Sequence, residues 1–523
     1  MQNIEHNLYF YLLHILFMKT KFIILFINMS FILISQNSKN IENSAYYANF
    51  INSDDLRSML YEYSSDKFMG REAGTIGQKL AVDYLKEKYR FLKISSAKKN
   101  GDYFQYVPLI AENTKFAEVK IENKIYKYFN DFIIKSAING SKLINTDSYA
   151  YVGYGIKDIN YNDYSNIDVK NKVVVAISGE PIDEKGKYII TKSKKKSIWS
   201  SSEEEQELKL NTAINNGASG FILIDDYYFR RYSNYYQRMA SKGESNVTLN
   251  VPQKQFLNII VGNKIGKELK RTNNGIYNKK IKLSYNNKSE PFKSENVIAM
   301  IKGNEFPNEY IIISAHLDHI GTHNGEVFNG ADDDGSGTIA ILEIAEAFKE
   351  AVIDGYGPKR SIVFLHVTAE EKGLLGSKYY TDFDPIVPLE NTVANLNIDM
   401  IGRTDPNRNY GKRNYIYLIG SDKLSTELHE ISELVNEKYT NLELDYTYND
   451  ENDPNRFYYR SDHYNFVKNN IPVIFYFNGT HEDYHKASDT ADKIEYDLLE
   501  NRTRLIFHTA WELANRKNKI TVD

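Results

Sequence analysis

The sequence predicts an α/β fold: a mostly parallel mixed sheet flanked by helices, with a small β-rich domain inserted into it. From Asn296 onward, strand-like and helix-like segments alternate, the pattern of parallel strands covered by their crossover helices. A block at roughly 140–260 breaks that alternation with short strand signatures such as "SYAYVGYGI" and "NKVVVAISGEP". The length of 523 residues exceeds a single core, while 42% hydrophobic and 26% charged residues fit a globular chain.

The elements follow in order. "MKTKFIILFINMSFILISQ" begins at Met18 with Lys19 and Lys21, continues through an apolar stretch at 22–34 and reaches the small Ser35. This is the layout of an export signal covering residues 1–35, with Met18 as the true start. The rival expectation is a retained membrane anchor, because 8–17 is apolar as well. After cleavage no stable membrane partner is expected, and the location is periplasmic or secreted. Residues 45–139 form a first part of the main domain. Within it, "SDDLRSMLYEYSSD" from Ser53 has an N-cap candidate and helical spacing, and "GREAGTIGQKLAVDYLKEKY" (70–89) reads as a glycine-punctuated loop entering an amphipathic helix. The 140–260 block then stands as a separate domain. In 294–523, strands are expected at "VIAMIKG", "YIIISAH", "SIVFLHVTAEE", "VANLNIDM", "NYIYLIG" and "IPVIFYF", and helices at 337–352, 422–439 and 497–515.

Charge and chemistry concentrate in this last part. The net charge of -4 argues against a nucleic-acid partner. With no cysteine, thiolate sites and disulfides are excluded, and any metal must sit on histidine and carboxylate. His316 and Asp318 end one predicted strand, and the run 332–334 opens the next helix. Glu370 and Glu371 end a second strand, Asp399 a third, and His481 and His485 follow the last. Carboxylates gathered at one sheet edge repel each other. A bound dication removes that penalty, and histidine with carboxylate is the set zinc accepts where thiolate is absent.

The ordered motifs "HLDH…NGADDDGSG…EEKGLLGS…NIDM…YHKASDT" resemble the di-zinc aminopeptidases, the bacterial leucyl aminopeptidases among them. "GREAGTIGQKLAVDYL" resembles that family's N-terminal segment, and the 140–260 block its inserted protease-associated domain. The resemblance implies two zinc ions per chain and a peptide substrate cut at its N-terminal bond. His316, Asp333 and Asp399 would hold one zinc; Asp333, Glu371 and His485 the other. Asp318 would orient His316 by accepting its second imidazole N–H on its carboxylate. Glu370 would be the general base.

Further candidates concern the substrate. "YYRSDHYNF" carries Ser461, Asp462 and His463. Three consecutive side chains cannot form a serine triad, and a helix start with cleft-lining side chains is expected instead. Tyr476 or Tyr484 is a candidate stabiliser of the tetrahedral intermediate, and Met400 flanks the specificity pocket or packs. His319, His323 and His481 are read as loop histidines.

Three rivals share the resemblance. A carboxypeptidase of the glutamate carboxypeptidase kind needs clustered arginines, for which Arg403, Arg408, Arg413, Arg456 and Arg460 are available. A glutaminyl cyclase works with one zinc. A non-catalytic receptor-like protein would have lost the ligands, which here are all filled.

Overall fold

The computed structural model describes residues 44–523 apart from 136, 137, 139, 202–204, 242–244, 252–255 and 451–452. The segment read as an export signal lies outside the described residues. No described helix is long and apolar enough to cross a membrane. The chain divides into two units, one containing residues up to Tyr106 and Ser294–Asp523, the other Val107–Lys293.

The first unit contains α1 (Ser53–Tyr63), α2 (Ile76–Phe91), β1 (Glu290–Ile301) from Ser294 onward, β2 (Phe306–His316), α3 (Gly337–Ile353), β3 (Arg360–Val367), α4 (Leu375–Asp382), β4 (Thr392–Ile398), β5 (Tyr415–Ile419), α5 (Thr426–Tyr439), β6 (Glu443–Asp445), β7 (Val473–Phe477) and α6 (Tyr496–Asn515). Its strands run in the order β1-β3-β2-β4-β7-β5-β6. The four central strands β3, β2, β4 and β7 are mutually parallel, and antiparallel pairing places β1 and β5 beside them. Because β3 and β4 flank β2 on opposite sides, the chain leaves β2 in one direction and returns in the other. The crevice at the carboxyl ends beside β2 is therefore the switch point at which such sheets bind ligands.

Both faces of this sheet are covered. Ile311, Ile313 and Ala315 of β2 pack with α3, α6 and α1, while Ile312 packs with Tyr380 of α4 and Phe466 on the other face. Each fully buried isoleucine or leucine contributes roughly 1.5–3 kcal/mol. Strands buried on both faces read as continuous apolar runs, which is why β2, β3, β4 and β7 stand out in the sequence.

The second unit is wider than the 140–260 block. Its mixed sheet runs Lys124–Lys127, Thr114–Ile121, Gly275–Asn287, Gly140–Tyr151, Val173–Ile177, Gly220–Ile224, Leu257–Val261 and Phe132–Ile134. The boundary widens because Gly275–Asn287 pairs antiparallel with both Gly140–Tyr151 and Thr114–Ile121, tying segments from before and after the expected block into one sheet.

Three histidines of the first unit's interior give its stability a pH dependence. Burial pushes His366, His463 and His508 down to about 3. An unfolded imidazole titrates near ~6.5, so their stabilisation is fully present above that pH and is lost as pH falls toward 3, at up to about 1.4 kcal/mol per unit and per histidine. The urea midpoint of the His366→Gln variant is expected to fall less steeply between pH 6.5 and 4.5 than that of the wild type; equal slopes would contradict this.

Candidate active site

β2 ends at His316, and the chain returns to the same sheet edge at 331–336, immediately before α3. The three consecutive aspartates there divide their work. Asp332 accepts the N–H of Gly402 at 2.6 Å and faces Nε2 of His481 at 3.1 Å. Asp334 accepts N–H groups of His316, Gly337 and Met400 at 3.2, 2.9 and 3.1 Å. Of the three, only Asp333 turns its carboxylate to His316 and His485: Oδ1 lies 3.1 Å from His316 Nε2, and Oδ2 lies 3.1 Å from His485 Nε2. Asp489 fixes the turn from behind by accepting the N–H groups of Asp332 and Asp333.

Around Asp333 two donor groups form. His316 Nε2 is also 3.6 Å from Asp399 Oδ1. On the other side, Glu371 Oε2 is 3.4 Å from His485 Nε2, and Glu371 Oε1 is 2.8 Å from Nδ1 of His319. His316, Asp333 and Asp399 form one cluster with metal-ligand spacing, and His319, Asp333 and Glu371 another. These donors fit zinc. They are imidazole and carboxylate only, and Nε2 of His319 is buried without a hydrogen-bond partner.

The electrostatics separate neighbouring acids. Burial raises Glu370, and like charge from Glu371 and Asp399 adds to it against His316, so its carboxyl lies well above the usual range. Burial also pushes Asp333 and Glu371 upward, but surrounding imidazoles outweigh it and hold Asp333 well below and Glu371 below their usual values. Environments that drive adjacent carboxyls apart suit them to different roles: Glu370 is set to hold a proton, while Asp333 and Glu371 are held ionised.

A pocket adjoins Asp333, Glu370, Asp399 and His485. Its walls are Met400, Phe457, Phe475, Phe477 and Tyr484, with Arg460 and Thr480. The ring of Tyr484 stacks on His485 at 3.9 Å between centroids.

Several expectations are corrected. Nδ1 of His316 meets the backbone oxygen of Asp318 at 2.9 Å, not its carboxylate; that carboxylate accepts the Glu370 N–H at 3.1 Å and so positions Glu370. Tyr476 points away from the pocket into the core under α5 and α6, because side chains alternate along β7 and Phe475 and Phe477 take the pocket face. Ser461, Asp462 and His463 are buried beneath the cleft. Ser461 Oγ donates to Asp399 Oδ2 at 2.6 Å, Asp462 accepts from Ser377, and His463 Nε2 lies 2.8 Å from the Tyr458 oxygen. Burial pushes Asp462 up to about 7. His319, read as a loop histidine, is fully buried at the second donor group. No spacing rule singled it out, nor Asp489.

Residues 296–510 match the model of Peptidase family M28. Probable leucine aminopeptidase 2 of Aspergillus oryzae is 31% identical over 206 residues, 38% of this chain and 36% of that protein. Probable glutamate carboxypeptidase LAMP1 of Arabidopsis thaliana is 34% identical over 119 residues, 23% of this chain and 16% of its own. The chain thus spans well under half the length of these curated relatives. Among solved structures, an aminopeptidase from Aneurinibacillus sp. strain AM-1 shares the fold at a TM-score of 0.50 and 18% identity, covering 92% of this chain and 98% of that one.

Proposed function

We propose that the chain is an exported two-zinc aminopeptidase that hydrolyses the N-terminal peptide bond of peptides. One observation carries this: Asp333 is shared between two histidine–carboxylate groups that sit beside Glu370 and an apolar pocket. His316, Asp333 and Asp399 would hold one zinc, and Asp333, Glu371 and His485 the other. When bound, zinc supplies Lewis acidity to the scissile carbonyl and to the attacking water. Glu370 accepts the proton of that water and passes it to the leaving amine, a transfer its raised affinity for protons favours. Asp318 holds the Glu370 backbone, and Ser461 holds Asp399, so both carboxylates are fixed before substrate arrives. Met400, Phe457, Phe475 and Phe477 favour an apolar side chain in the pocket.

The arginines speak against a carboxypeptidase. Arg403 pairs with Asp483, Arg408 with Glu443 and Asp445, and Arg413 with Glu495 and Asp497. Arg456 lies over Tyr459, and Arg460 alone of the five lines the pocket. The paired Glu370 and Glu371, each with its own place in the site, argue against a one-zinc cyclase. Hydrolysis of a leucyl peptide is expected to disappear on N-acetylation and to persist on C-amidation. Loss on C-amidation alone would move the activity to the other chain end. The Val107–Lys293 unit is proposed as an accessory; the described metal-type clusters all lie outside it.

A further inference from the structure

We infer that the Val107–Lys293 unit carries a binding site for an alkylammonium group, the end of a lysine side chain or of a free amine, formed by Glu112 and the rings of Tyr128, Phe129 and Tyr236. A cavity of about 320 Å³ opens between these residues, and none of them belongs to the proposed zinc site. Glu112 ends the strand Phe104–Glu112 and stands opposite Asn246 of the antiparallel strand Asn246–Leu249. The Asn246 side-chain amide donates to Glu112 Oε2 at 2.8 Å, while Oε1 is buried and has no hydrogen-bond partner among the described residues. A carboxylate oxygen left unpaired away from water is costly. Burial pushes the Glu112 carboxyl up to about 7; among the described residues only the Asn246 amide opposes this, and no cation does.

The aromatic wall defines the missing partner. Phe129 sits at a positive φ of 64° in the turn after Lys124–Lys127, a conformation sparsely populated by residues other than glycine. Its oxygen accepts the Ser233 hydroxyl and the Gln237 amide of the helix Asp226–Ser241, which fixes the turn against that helix. Its ring lies between those of Tyr128 and Tyr236, 4.0 and 6.1 Å away between centroids and 27° from parallel to each. All three rings and Glu112 are half-buried, so a ligand can enter from solvent. Aromatic faces attract a cation, and both they and the carboxylate repel an anion. A neutral apolar ligand would leave Glu112 Oε1 unpaired. An alkylammonium answers both features: an N–H donates to Oε1 while the methylenes lie along the rings.

The test is calorimetric titration of the full chain with three probes: n-butylammonium, the uncharged n-butanol of the same size, and Nα-acetyl-lysine methylamide, whose only ammonium is on the side chain. The wild type is expected to bind both ammonium probes at least about 10-fold more tightly than n-butanol. Tighter binding of the lysine probe than of n-butylammonium identifies a peptide side chain as the ligand, and equal binding a free amine. Glu112→Gln should weaken both ammonium probes at least about 10-fold, and Tyr236→Leu at least about 3-fold. Glu184→Gln, which alters an exposed carboxylate of the same unit, should change nothing. Affinity should also fall about tenfold per unit as pH drops below 7, because protonated Glu112 no longer holds a cation. The phenols facing it stay neutral there, since burial pushes Tyr128 up to about 12 and Tyr236 and Tyr285 further. Equal wild-type affinity for n-butanol and n-butylammonium would overturn the site without recourse to any variant. Ammonium binding unchanged in Glu112→Gln would overturn it too, and its loss in Glu370→Gln instead would place the cation in the peptidase cleft.

Discussion

Glu370→Gln is expected to lower kcat by about 10²–10⁴-fold, the span that a positioned general base contributes, with zinc content unchanged. Glutamine keeps the size and the backbone hydrogen bond to Asp318 but cannot accept the proton. Glu370 belongs to neither metal-type cluster, whereas its neighbour Glu371 stands 2.8 Å from His319 and 3.4 Å from His485. The adjacent substitution Glu371→Gln therefore separates the roles: it should lose zinc first and activity as a consequence. Parallel zinc analysis and steady-state kinetics on the two variants check this. Wild-type kcat in Glu370→Gln, or zinc loss in Glu370→Gln alone, would remove Glu370 as the base.

The sequence disclosed the parts of this site that lie on regular elements. His316, Glu370, Glu371 and Asp399 follow apolar runs that could only be buried strands, so their arrival at one sheet edge was legible from βα alternation. The same runs concealed which way each side chain points. A strand buried on both faces has no alternation of polarity from which to phase its period of two, and so Tyr476 could be placed in the cleft when Phe475 and Phe477 hold it. The long return from His316 to Asp333 hid His319 for a different reason: its position depends on tertiary contacts that no local spacing records. The limits of the second unit were hidden likewise, because strands about 160 residues apart, Thr114–Ile121 and Gly275–Asn287, pair within one sheet.

What holds that return is a single buried cation, and its removal is expected to have the largest effect on stability. Arg71 is 1% exposed. Its Nε donates to the Leu317 oxygen at 3.1 Å, Nη1 to the oxygens of Tyr63 and Asn329 at 3.3 and 2.6 Å, and Nη2 to that of Gly330 at 2.9 Å. One planar fork thus clips the two ends of the segment between His316 and Asp333. The clip depends on a sharp bend in which Met69, Gly70 and Arg71 all have positive φ; at Gly70 a Cβ would meet the Gly321 oxygen at 2.4 Å, so only glycine fits. The guanidinium also lies 4.7 Å over the ring of Tyr63, whose hydroxyl donates to Leu317 as well. Arg71→Met preserves much of the volume but removes every donor of the fork; the Leu317 oxygen keeps the Tyr63 hydroxyl and the Gly330 oxygen the Gly335 N–H, whereas a buried acceptor left unpaired costs about 1–3 kcal/mol. With two of the four acceptors retaining a partner, the loss is about 2–4 kcal/mol in total. Arg71→Lys retains the charge without the fork and should recover only part of the loss. Because the clipped segment begins at one proposed zinc ligand and ends at another, zinc affinity should fall together with the urea midpoint in Arg71→Met. A midpoint that drops while zinc affinity stays at the wild-type value would mean that the clip serves the fold alone, and that His316 and Asp333 are positioned by β2 and α3 without it.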